Sequence, residues 1–446
     1  MSYIYDRLYG RIEFPDLINE LLSCPGMLRL SEIGMGNIKF ISFPSFSAVT
    51  RYEHSLGVCH LANLASKSLR LSEKDRIELM MAALYHDVTT PPFAHATEEI
   101  LRIYYGFDHE KHFFNLISGK SNDLGGSYTQ IYRGRSLKLP RICQSAEARR
   151  LGIDLFHIPE LIFKKENDPL SSLISGDIDL DNIDNVIRSA SAMGIDITDK
   201  SLGEFLAKSF TIYTKDDIAL PKEAEAHINK WKKIREILYD MILCSIEDFS
   251  LQTMLKHALR YLIESDDIDI RFREDDWKLT EEDMAKRIME HPSSRDIYTR
   301  MQLRDLYPCI ELVWIQGKGA LEYIENKKTQ RKLEDISREI LHIETVSNYY
   351  IDKRQRNIQR SLVSFDRIAQ IQKKFPNEPA LLLGFFTPQR FNLVDKESRK
   401  KILDTKMKND FVIQLSNEIP KNLSIYKVNI DDQNKYPKMR LGEIAK

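Results

Sequence analysis

The sequence predicts a mostly α-helical protein that ends in a smaller mixed α/β region. Apolar residues recur at helical spacing over 51–69 and again over 75–86, which is typical of amphipathic helices. The long stretch 201–265 is also helical in pattern. Short apolar segments with strand character concentrate after residue 346, and this concentration indicates the mixed region.

The composition is that of an ordinary soluble globular protein. The 446 residues are 42% hydrophobic and 29% charged, which is enough for two or three domains. The five cysteines are scattered without a CxxC pair, so we expect a reducing cytoplasm and no cysteine zinc site. No apolar run reaches the roughly 18 residues of a membrane span, and the charged N-terminus is unlike a signal peptide. A net charge of −1 excludes a globally basic nucleic-acid surface, while a local basic face stays open.

The first fifty residues predict short elements around one helix. A strand or turn comes first, and a helix over 15–23 follows until Cys24-Pro25-Gly26 stops it. Residues 39–43 alternate enough to predict a further strand. These elements lead into the first strongly amphipathic helix.

Three consecutive helices carry polar residues at informative positions. His54 lies in the first turn of the first helix, and His86 ends the second. The third helix, over 93–105, places His95 and Glu98 three residues apart and therefore on one face. A single histidine on such a helix is usually just polar surface, so the argument depends on the combination.

The adjacent His86 and Asp87 indicate a metal site. Imidazole and carboxylate are both ligands of first-row metals. Neighbours on a helix point about 100° apart, so they reach one ion only near a helix end, which Pro91-Pro92 supplies. The first two helices are also able to present His54 and His86 to one ion. An N-capping aspartate beside a core histidine explains an isolated pair equally well.

Three aspartates, Asp177, Asp179 and Asp181, precede a further helix. A calcium EF-hand would need Gly and Glu where this chain has Asn182 and Arg188, so the calcium hypothesis fails. A cluster that caps the helix N-terminus explains part of the pattern.

Three motifs taken together resemble the HD-domain metal phosphohydrolases. They are the run RYEHSLGV at 51–58, the HDxxxPPFxH pattern at 86–95 and the DxDxxDxxxR pattern at 179–188. Their flanks are most similar to the dNTP triphosphohydrolase branch, which includes bacterial dGTP triphosphohydrolases and the animal SAM-and-HD-domain enzyme. The resemblance covers about residues 28–260 and implies an HD-domain helical core with additional helices.

The resemblance implies one divalent metal ion. Its ligands would be His54, His86, Asp87 and Asp181, a mixed nitrogen and oxygen set. Such a set suits Mn²⁺, Fe²⁺, Zn²⁺ or Mg²⁺ without selecting among them. Asp184, one turn after Asp181, would orient a ligand.

The resemblance also implies catalytic roles for His95, Glu98 and His109. The first two would handle the proton of the attacking water and of the leaving oxygen. His109 would serve as a proton donor or phosphate ligand. An ordinary helix start with Asp108 as the N-cap explains these residues equally well. Thr90 stands where the animal enzyme has an additional histidine, which makes this region more similar to the bacterial pattern.

Seven residues would contact the substrate by the same resemblance: Glu32, Ile33, Arg51, Asn185, Arg188, Arg235 and Tyr239. The three arginines would neutralise phosphates, although a solvated basic face is the commoner explanation around Arg235. Ile33 would exclude a ribose 2′-hydroxyl, whereas Glu32 fits an ordinary surface position equally well. The four metal ligands match the family pattern. Asn185 and Ser189, at positions that would contact the substrate, differ from it.

The implied function is metal-dependent hydrolysis of deoxynucleoside triphosphates to deoxynucleoside and triphosphate. The protein would be a cytoplasmic homo-oligomer (dimer, tetramer or hexamer), with nucleotide activation at an oligomer interface as one option. Two alternatives stay open: a phosphodiesterase or nuclease acting on nucleic acid or signalling nucleotides, and a nucleotide sensor with little turnover. The near-neutral charge disfavours a nucleic-acid partner, and no membrane partner is expected. The chain has no P-loop and no GxGxxG, so it is neither a motor nor a dehydrogenase.

We expect three regions: a phosphohydrolase core at 1–200, a helical extension completing the pocket at 201–345, and a region for oligomerisation or regulation at 346–446. The stretch 117–150 predicts a loop or insertion, and 270–345 predicts charged helices. Strands are predicted in the segments 348–351, 380–386, 411–415 and 423–428.

Overall fold

The computed structural model describes residues 3–117, 137–163, 168–176, 178–197, 199–214, 217–351, 362–363, 380–390 and 405–427. Within these ranges it confirms the mostly helical fold, with 18 helices and nine short strands in three small sheets. Asp177 and residues 118–136 of the expected loop lie outside the described residues. No helix in the described part of the chain is long and apolar enough to cross a bilayer.

The helices are named in chain order. The first eleven are α1 (Asp16–Leu22), α2 (Pro25–Arg29), α3 (Arg51–Ser68), α4 (Glu73–Tyr85), α5 (Ala94–Tyr105), α6 (His109–Ile117), α7 (Leu139–Cys143), α8 (Ala146–Leu151), α9 (His157–Ile162), α10 (Leu180–Ala192) and α11 (Leu202–Ser209). The others are α12 (Glu225–Cys244), α13 (Ile246–Ile263), α14 (Glu281–Glu290), α15 (Pro292–Leu303), α16 (Ala320–Ile324), α17 (Lys327–Leu341) and α18 (Thr405–Glu418).

The strands form three sheets. An N-terminal antiparallel hairpin pairs β1 (Tyr3–Asp6) with β2 (Gly10–Glu13). The second sheet pairs β3 (Thr211–Thr214) antiparallel with β4 (Asp217–Pro221), and β4 parallel with β7 (Leu362–Val363). The third is antiparallel, in the order β6 (Val346–Ile351), β8 (Leu381–Phe386), β5 (Cys309–Gly317) and β9 (Leu423–Lys427).

Helices α3 and α4 form the centre of the fold. Thr50 starts α3 with a capping box, because its hydroxyl accepts the Glu53 N–H at 3.3 Å and the Glu53 carboxylate accepts the Thr50 N–H at 3.2 Å. Ser72 caps α4 through the Asp75 N–H. Both helices are buried over most of their length, since α10 and α11 pack on α3 and α9 packs on α4. The first turn of α3 and the end of α4 therefore have fixed positions.

Two hydrophobic clusters divide the core. The larger extends in sequence from Leu8 to Phe386 and joins nearly all the helices. The smaller lies around the C-terminal sheet and includes Ile310 of β5 and Phe411 of α18. The boundaries expected at residues 200 and 345 stay predictions.

The predicted strand at 39–43 is wrong. The Asp248 carboxylate takes the backbone groups of this segment, because it accepts the N–H of Ile41 at 2.6 Å and that of Ser42 at 3.3 Å. Phe40 and Phe43 are buried while Lys39 and Ser42 are exposed, so the apolar side chains pack inward without a strand. A side chain 207 residues away thus replaces the strand partner that the pattern predicted.

The predicted strand at 411–415 is also wrong, because this segment belongs to α18. Phe411 and Leu415 are both buried in the smaller cluster, and residues four apart lie on one face of a helix. The other three C-terminal strand predictions are confirmed as β6, β8 and β9.

Three strands replace predicted helix. Strands β3 and β4 interrupt the stretch 201–265, and β5 occupies 309–317 within the segment expected to hold charged helices. β5 is central in its sheet and mostly buried, and such an apolar run cannot be told from a buried helix by periodicity alone. Conversely, α7 and α8 lie at 139–151, where a loop was expected.

Candidate active site

Three metal-ligand atoms converge between α3, α4 and α10. His54 lies in the first turn of α3, His86 directly follows α4, and Asp181 lies in the first turn of α10. The His54 Nε2 atom is 2.8 Å from Asp181 Oδ1 and 3.3 Å from His86 Nε2. The remaining distance, from His86 Nε2 to Asp181 Oδ1, is 3.7 Å. The histidines are buried and the Asp181 side chain is 33% exposed, so the triad opens on one side.

The arrangement of these atoms fits a divalent cation. Ligands about 2.1 Å from an ion are roughly 3.0–3.4 Å apart. His54 Nδ1 lies 2.7 Å from Asp184 Oδ2, and His86 Nδ1 lies 2.8 Å from the Ala83 carbonyl oxygen. With a proton on each Nδ1, both rings turn an Nε2 lone pair toward the Asp181 carboxylate. Three lone pairs that converge at this distance repel one another, and a shared cation relieves the repulsion.

A proton is the alternative occupant of the triad. Burial opposes a charge on His54, but hydrogen bonds to Asp181 and Asp184 outweigh it and raise the pKa of His54 to about 9. Because a ligand must lose its proton before it binds a metal, protons and metal ions compete for this position.

Asp87 lies at the edge of the triad. Its Oδ2 atom is 3.5 Å from His86 Nε2 and 3.9 Å from His54 Nε2. Arg51 donates to the same oxygen at 2.8 Å, and the Thr90 hydroxyl donates to Oδ1 at 2.9 Å. Burial would raise the pKa of Asp87, but Arg51 and the neighbouring histidines hold it well below its usual range. Thr90, which stands where the animal enzyme has a histidine, therefore helps to orient this carboxylate.

His95, Glu98 and His109 form a second cluster beside Asp87. The buried Glu98 carboxylate lies 2.9 Å from His95 Nδ1 through one oxygen and 2.7 Å from His109 Nδ1 through the other. The other ring nitrogen of His109, Nε2, lies 3.7 Å from Asp87 Oδ1. Burial opposes a charge on His109, but Glu98 and Asp87 raise its pKa to about 10. Asp108 also caps α6 by accepting the Lys111 N–H at 2.8 Å.

The entry to α5 is conformationally strained. Phe93 and Ala94 both have left-handed backbone angles, with φ values of 58° and 47°. Residues other than glycine rarely adopt this conformation, and it concentrates at functional sites. The turn aims His95 outward, where 49% of its side chain is exposed, while Glu98 stays buried.

Arg188 lies behind His54. It is fully buried and donates to Asp184 Oδ2 at 2.8 Å and to Asp6 Oδ2 at 2.9 Å. The Tyr9 hydroxyl donates to Asp184 Oδ1 at 2.7 Å. The structure thus brings Arg188 together with two buried carboxylates, and the phosphate contact that the resemblance implies stays a prediction.

Three other predicted substrate residues lie near the helices of the triad. The buried Ile33 accepts the Arg51 N–H through its carbonyl at 2.9 Å, whereas Glu32 is exposed. Asn185 lies one turn after Asp181 on α10 and accepts a hydrogen bond from Ser189 at 3.1 Å.

Arg235 and Tyr239 lie together on α12, which packs against α10. The Arg235 guanidinium is buried and lies 4.7 Å from the centre of the Tyr239 ring. This cation–π contact joins the two residues on one face of the helix.

The sequence reasoning missed several supporting residues. The buried Arg29 donates to the carbonyl oxygens of Val88 and Thr90 at 2.9 and 2.8 Å, which fixes the loop after Asp87. Gly57 is a signal of this packing that the sequence does contain. A glycine inside a helix normally lowers helix stability by about 1 kcal/mol relative to alanine, so its presence in α3 needs a reason. A Cβ atom there would lie 2.1 Å from Asp184 Oδ1, so close packing requires the glycine.

Part of this chain is similar in sequence to known proteins. Residues 51–150 match the HD domain family. An uncharacterised protein from Methanocaldococcus jannaschii is 23% identical over 275 residues, which cover 61% of this chain and 52% of that protein. The deoxynucleoside triphosphate triphosphohydrolase SAMHD1 from Bos taurus is 36% identical over 102 residues, which cover 21% of this chain and 17% of that enzyme. The human protein is 35% identical over 102 residues, or 21% of this chain and 16% of its own length.

A hypothetical protein from Aquifex aeolicus, known from a crystal structure, shares the fold. The two chains superpose with a TM-score of 0.62 at 17% sequence identity, over 90% of this chain and 99% of the other. By contrast, the matched regions span about half of the archaeal relative and less than a fifth of the two mammalian enzymes.

Proposed function

We propose that the chain hydrolyses deoxynucleoside triphosphates to deoxynucleoside and inorganic triphosphate, starting from the match of residues 51–150 to the HD domain family. One observation carries the proposal: the His54, His86 and Asp181 donor atoms lie within 4.8 Å of one another, next to a separate His–Glu–His cluster. A metal site beside a proton-transfer group suits attack of water on phosphorus. The similarity to deoxynucleoside triphosphate triphosphohydrolases supports the choice of substrate.

His54, His86 and Asp181 would hold the ion, with Asp87 as the fourth ligand. HD domains bind divalent metal ions, and such an ion supplies charge neutralisation for phosphate oxygens and lowers the pKa of water. The mixed donor set does not choose among Mn²⁺, Fe²⁺, Zn²⁺ and Mg²⁺. Asp87, which Arg51 and Thr90 keep ionised and oriented, would accept a hydrogen bond from the attacking water.

The His95–Glu98–His109 cluster would manage the second proton. Water attacks the α-phosphorus, the bond from phosphorus to the sugar O5′ breaks, and that oxygen takes a proton. His95 is the exposed member of the cluster and would deliver the proton, while Glu98 orients its ring through Nδ1. His109 has a pKa raised to about 10, so it is cationic at neutral pH and would bind a phosphate oxygen.

Arg51 is the arginine best placed for the phosphates. Its NH1 group holds Asp87, and its buried Nε has no hydrogen-bond partner in the described residues. We assign Arg188 a supporting role, because its guanidinium is enclosed by Asp184 and Asp6. Substrate contacts of Glu32, Ile33, Asn185, Arg235 and Tyr239 are part of the proposal, and alanine variants with changed KM at constant kcat would support them.

Product analysis tests the reaction. The purified chain is incubated with Mn²⁺ and each deoxynucleoside triphosphate, singly and mixed, and the products are separated by ion-exchange chromatography. We expect deoxynucleoside and triphosphate in equal amounts, with activity lost in Asp181→Asn and kept in the matched control Asp196→Asn. Asp196 is an exposed aspartate just after the same helix.

Other outcomes would replace the proposal. Release of monophosphate or diphosphate would show cleavage at another bond. Hydrolysis of a cyclic dinucleotide or of single-stranded DNA, without triphosphate release, would favour the phosphodiesterase or nuclease alternative. Metal binding without turnover of any of these substrates would favour a nucleotide sensor.

The proposal includes a homo-oligomer. Light scattering after size exclusion, with and without deoxynucleoside triphosphates, measures its mass against the 52.0 kDa of one chain. Activity that requires a nucleotide mixture and rises with the oligomer fraction would support activation at an interface. A monomer at full activity would contradict it.

A further inference from the structure

The turn of the N-terminal hairpin contacts the ion pair behind the metal ligand His54. Asp6 ends β1 and makes both connections: its Oδ1 accepts the N–H groups of Leu8 and Tyr9 at 2.7 and 3.1 Å, which forms the turn. Its Oδ2 accepts Arg188 NH1 at 2.9 Å. One buried carboxylate therefore joins the hairpin turn to α10 across 182 positions of sequence.

Tyr9 makes a second and independent connection. Its hydroxyl donates to Asp184 Oδ1 at 2.7 Å, and its ring lies 5.1 Å from the His60 ring and 5.8 Å from the Arg188 guanidinium. These contacts on both sides hold the hydroxyl in position. Tyr9 is thus a neutral donor to a buried carboxylate, and it leaves the charge of that carboxylate in place.

Asp184 is the point where these contacts reach the metal ligand. Its Oδ2 lies 2.7 Å from His54 Nδ1 and accepts Arg188 Nε at 2.8 Å, while Oδ1 accepts Arg188 NH2 at 2.9 Å and the Tyr9 hydroxyl. In each of these hydrogen bonds the fully buried Asp184 carboxylate is the acceptor. A carboxylate so held fixes the tautomer of the histidine and raises the basicity of its other nitrogen.

The charges of this group favour a cation at the triad. Arg188 alone would neutralise Asp184 and weaken its pull on the His54 proton. Asp6 shares the Arg188 charge, so the buried trio of two carboxylates and one guanidinium keeps one net negative charge. That charge lies directly behind His54, where it strengthens the ring as a metal ligand.

We propose that the hairpin β1–β2 is a positioning element of the metal centre, in which Tyr9 and Asp6 orient Asp184 so that His54 Nε2 faces the ion. Neither residue touches substrate or metal. The inference rests on the metal triad of the proposed function and not on the choice of substrate.

Metal affinity is the direct test. Binding of Mn²⁺ to the full chain is measured by isothermal titration calorimetry and by the electron paramagnetic resonance signal of free Mn²⁺. Tyr9→Phe removes only the hydroxyl, and Asp6→Asn keeps an acceptor for the turn while placing a donor against Arg188. The matched control is Tyr5→Phe, on the same hairpin, with 73% of its side chain exposed.

We expect Tyr9→Phe and Asp6→Asn each to raise the Mn²⁺ dissociation constant about five- to tenfold, with Tyr5→Phe within twofold of the parent. The increase in Tm on adding Mn²⁺ should shrink in the two variants, while circular dichroism at 20 °C stays that of the parent. Unchanged Mn²⁺ affinity in folded Tyr9→Phe would overturn the proposal, whatever Asp6→Asn does to folding.

The two proposals fail separately. Weakened Mn²⁺ binding in Tyr9→Phe, with a parent that cleaves no deoxynucleoside triphosphate, would support the positioning role and contradict the proposed function. Full triphosphohydrolase activity in the parent, with unchanged Mn²⁺ affinity in Tyr9→Phe, would do the reverse.

Discussion

The two histidines of the proposed metal triad (the metal half of the site) are buried, whereas His95 of the proposed proton-transfer cluster His95–Glu98–His109 (the proton half) reaches solvent. His54 and His86 are 0% and 5% exposed, and a carboxylate and a carbonyl oxygen hold their Nδ1 atoms at 2.7 and 2.8 Å. His95 in the proton half exposes 49% of its side chain. A metal ligand needs a fixed lone pair, while a proton donor needs access to the substrate. The exposure of these three histidines matches those needs.

The two halves are also held by different ends of the chain. The metal half contacts the N-terminal hairpin through Tyr9 and Asp6. His95 and Glu98 of the proton half lie on α5, which is linked to the C-terminal sheet through Lys256 of α13. Glu99 pairs with Lys256 at 2.5 Å, and Lys256 donates to Asn348 of β6 at 2.7 Å.

A second contact strengthens this link to the C-terminal region. Arg102 of α5 pairs with Glu325, which also accepts the Tyr349 hydroxyl at 2.6 Å. Substitutions at the two ends of the chain should therefore damage different steps. N-terminal changes should affect metal affinity, and C-terminal changes should affect turnover.

Gly57→Ala should break the metal half most severely. The new Cβ would lie 2.1 Å from Asp184 Oδ1 and 2.4 Å from Arg188 NH2, so the ion pair behind His54 must move. We expect Mn²⁺ binding to fall at least 100-fold and stability to fall by about 1–3 kcal/mol, although alanine normally stabilises a helix relative to glycine. Calorimetry and thermal melting check this, with the exposed Lys67→Ala on α3 as control. A variant more stable than the parent with full Mn²⁺ affinity would contradict the packing argument.

Glu98→Gln should separate the two halves. Its carboxylate orients His95 and His109, and it does not belong to the metal triad. We expect kcat to fall about 10²–10⁴-fold while the Mn²⁺ dissociation constant stays within twofold. Single-turnover kinetics and calorimetry measure the two quantities. Loss of metal affinity would show that the halves are not independent.

Lys256→Met should weaken the proton half from a distance. The change leaves the mostly buried Glu99 carboxylate without Lys256, and breaking a buried ion pair costs about 3–5 kcal/mol. We also expect kcat to fall several-fold at unchanged Mn²⁺ affinity, because α5 loses one of its two links to β6. Urea unfolding and steady-state kinetics measure both effects. The double variant Lys256→Met with Glu99→Gln is the control and should recover most of the stability, and no recovery would argue against the ion pair as the cause.

His157 lies outside both halves of the site and should make stability, rather than metal binding or turnover, depend on pH. Hydrogen bonds to Asp168 and Glu78, both at 2.6 Å, outweigh burial and raise the pKa of His157 to about 10, above the roughly 6.5 of an unfolded histidine. The folded pKa is the higher one, so this stabilisation is complete below about pH 6.5 and is lost as the pH rises to about 10. We expect about 1 kcal/mol after screening, measured as the drop in unfolding free energy from pH 6 to pH 9.5. His157→Gln should lack that drop, and an equal drop in the variant would assign it to other groups.

The sequence by itself determined the helical core and the identity of the chemical groups. Periodicity and caps are local properties, so α3, α4 and α5 follow from residues within a few positions of one another. The same local logic located His86 at a helix end. The three motifs then allowed the metal and proton residues to be grouped by resemblance, and the structure brings His54, His86 and Asp181 within 4.8 Å.

Only the tertiary structure decided which partner each polar group has. The guanidinium of Arg188 lies between Asp184 and Asp6, two partners that the sequence did not indicate. Residues 39–43 were expected to pair as a strand, and Asp248 takes their N–H groups. Hydrogen bonds and ion pairs depend on which distant side chains packing brings within about 3 Å, and a single sequence carries no local signal of that choice.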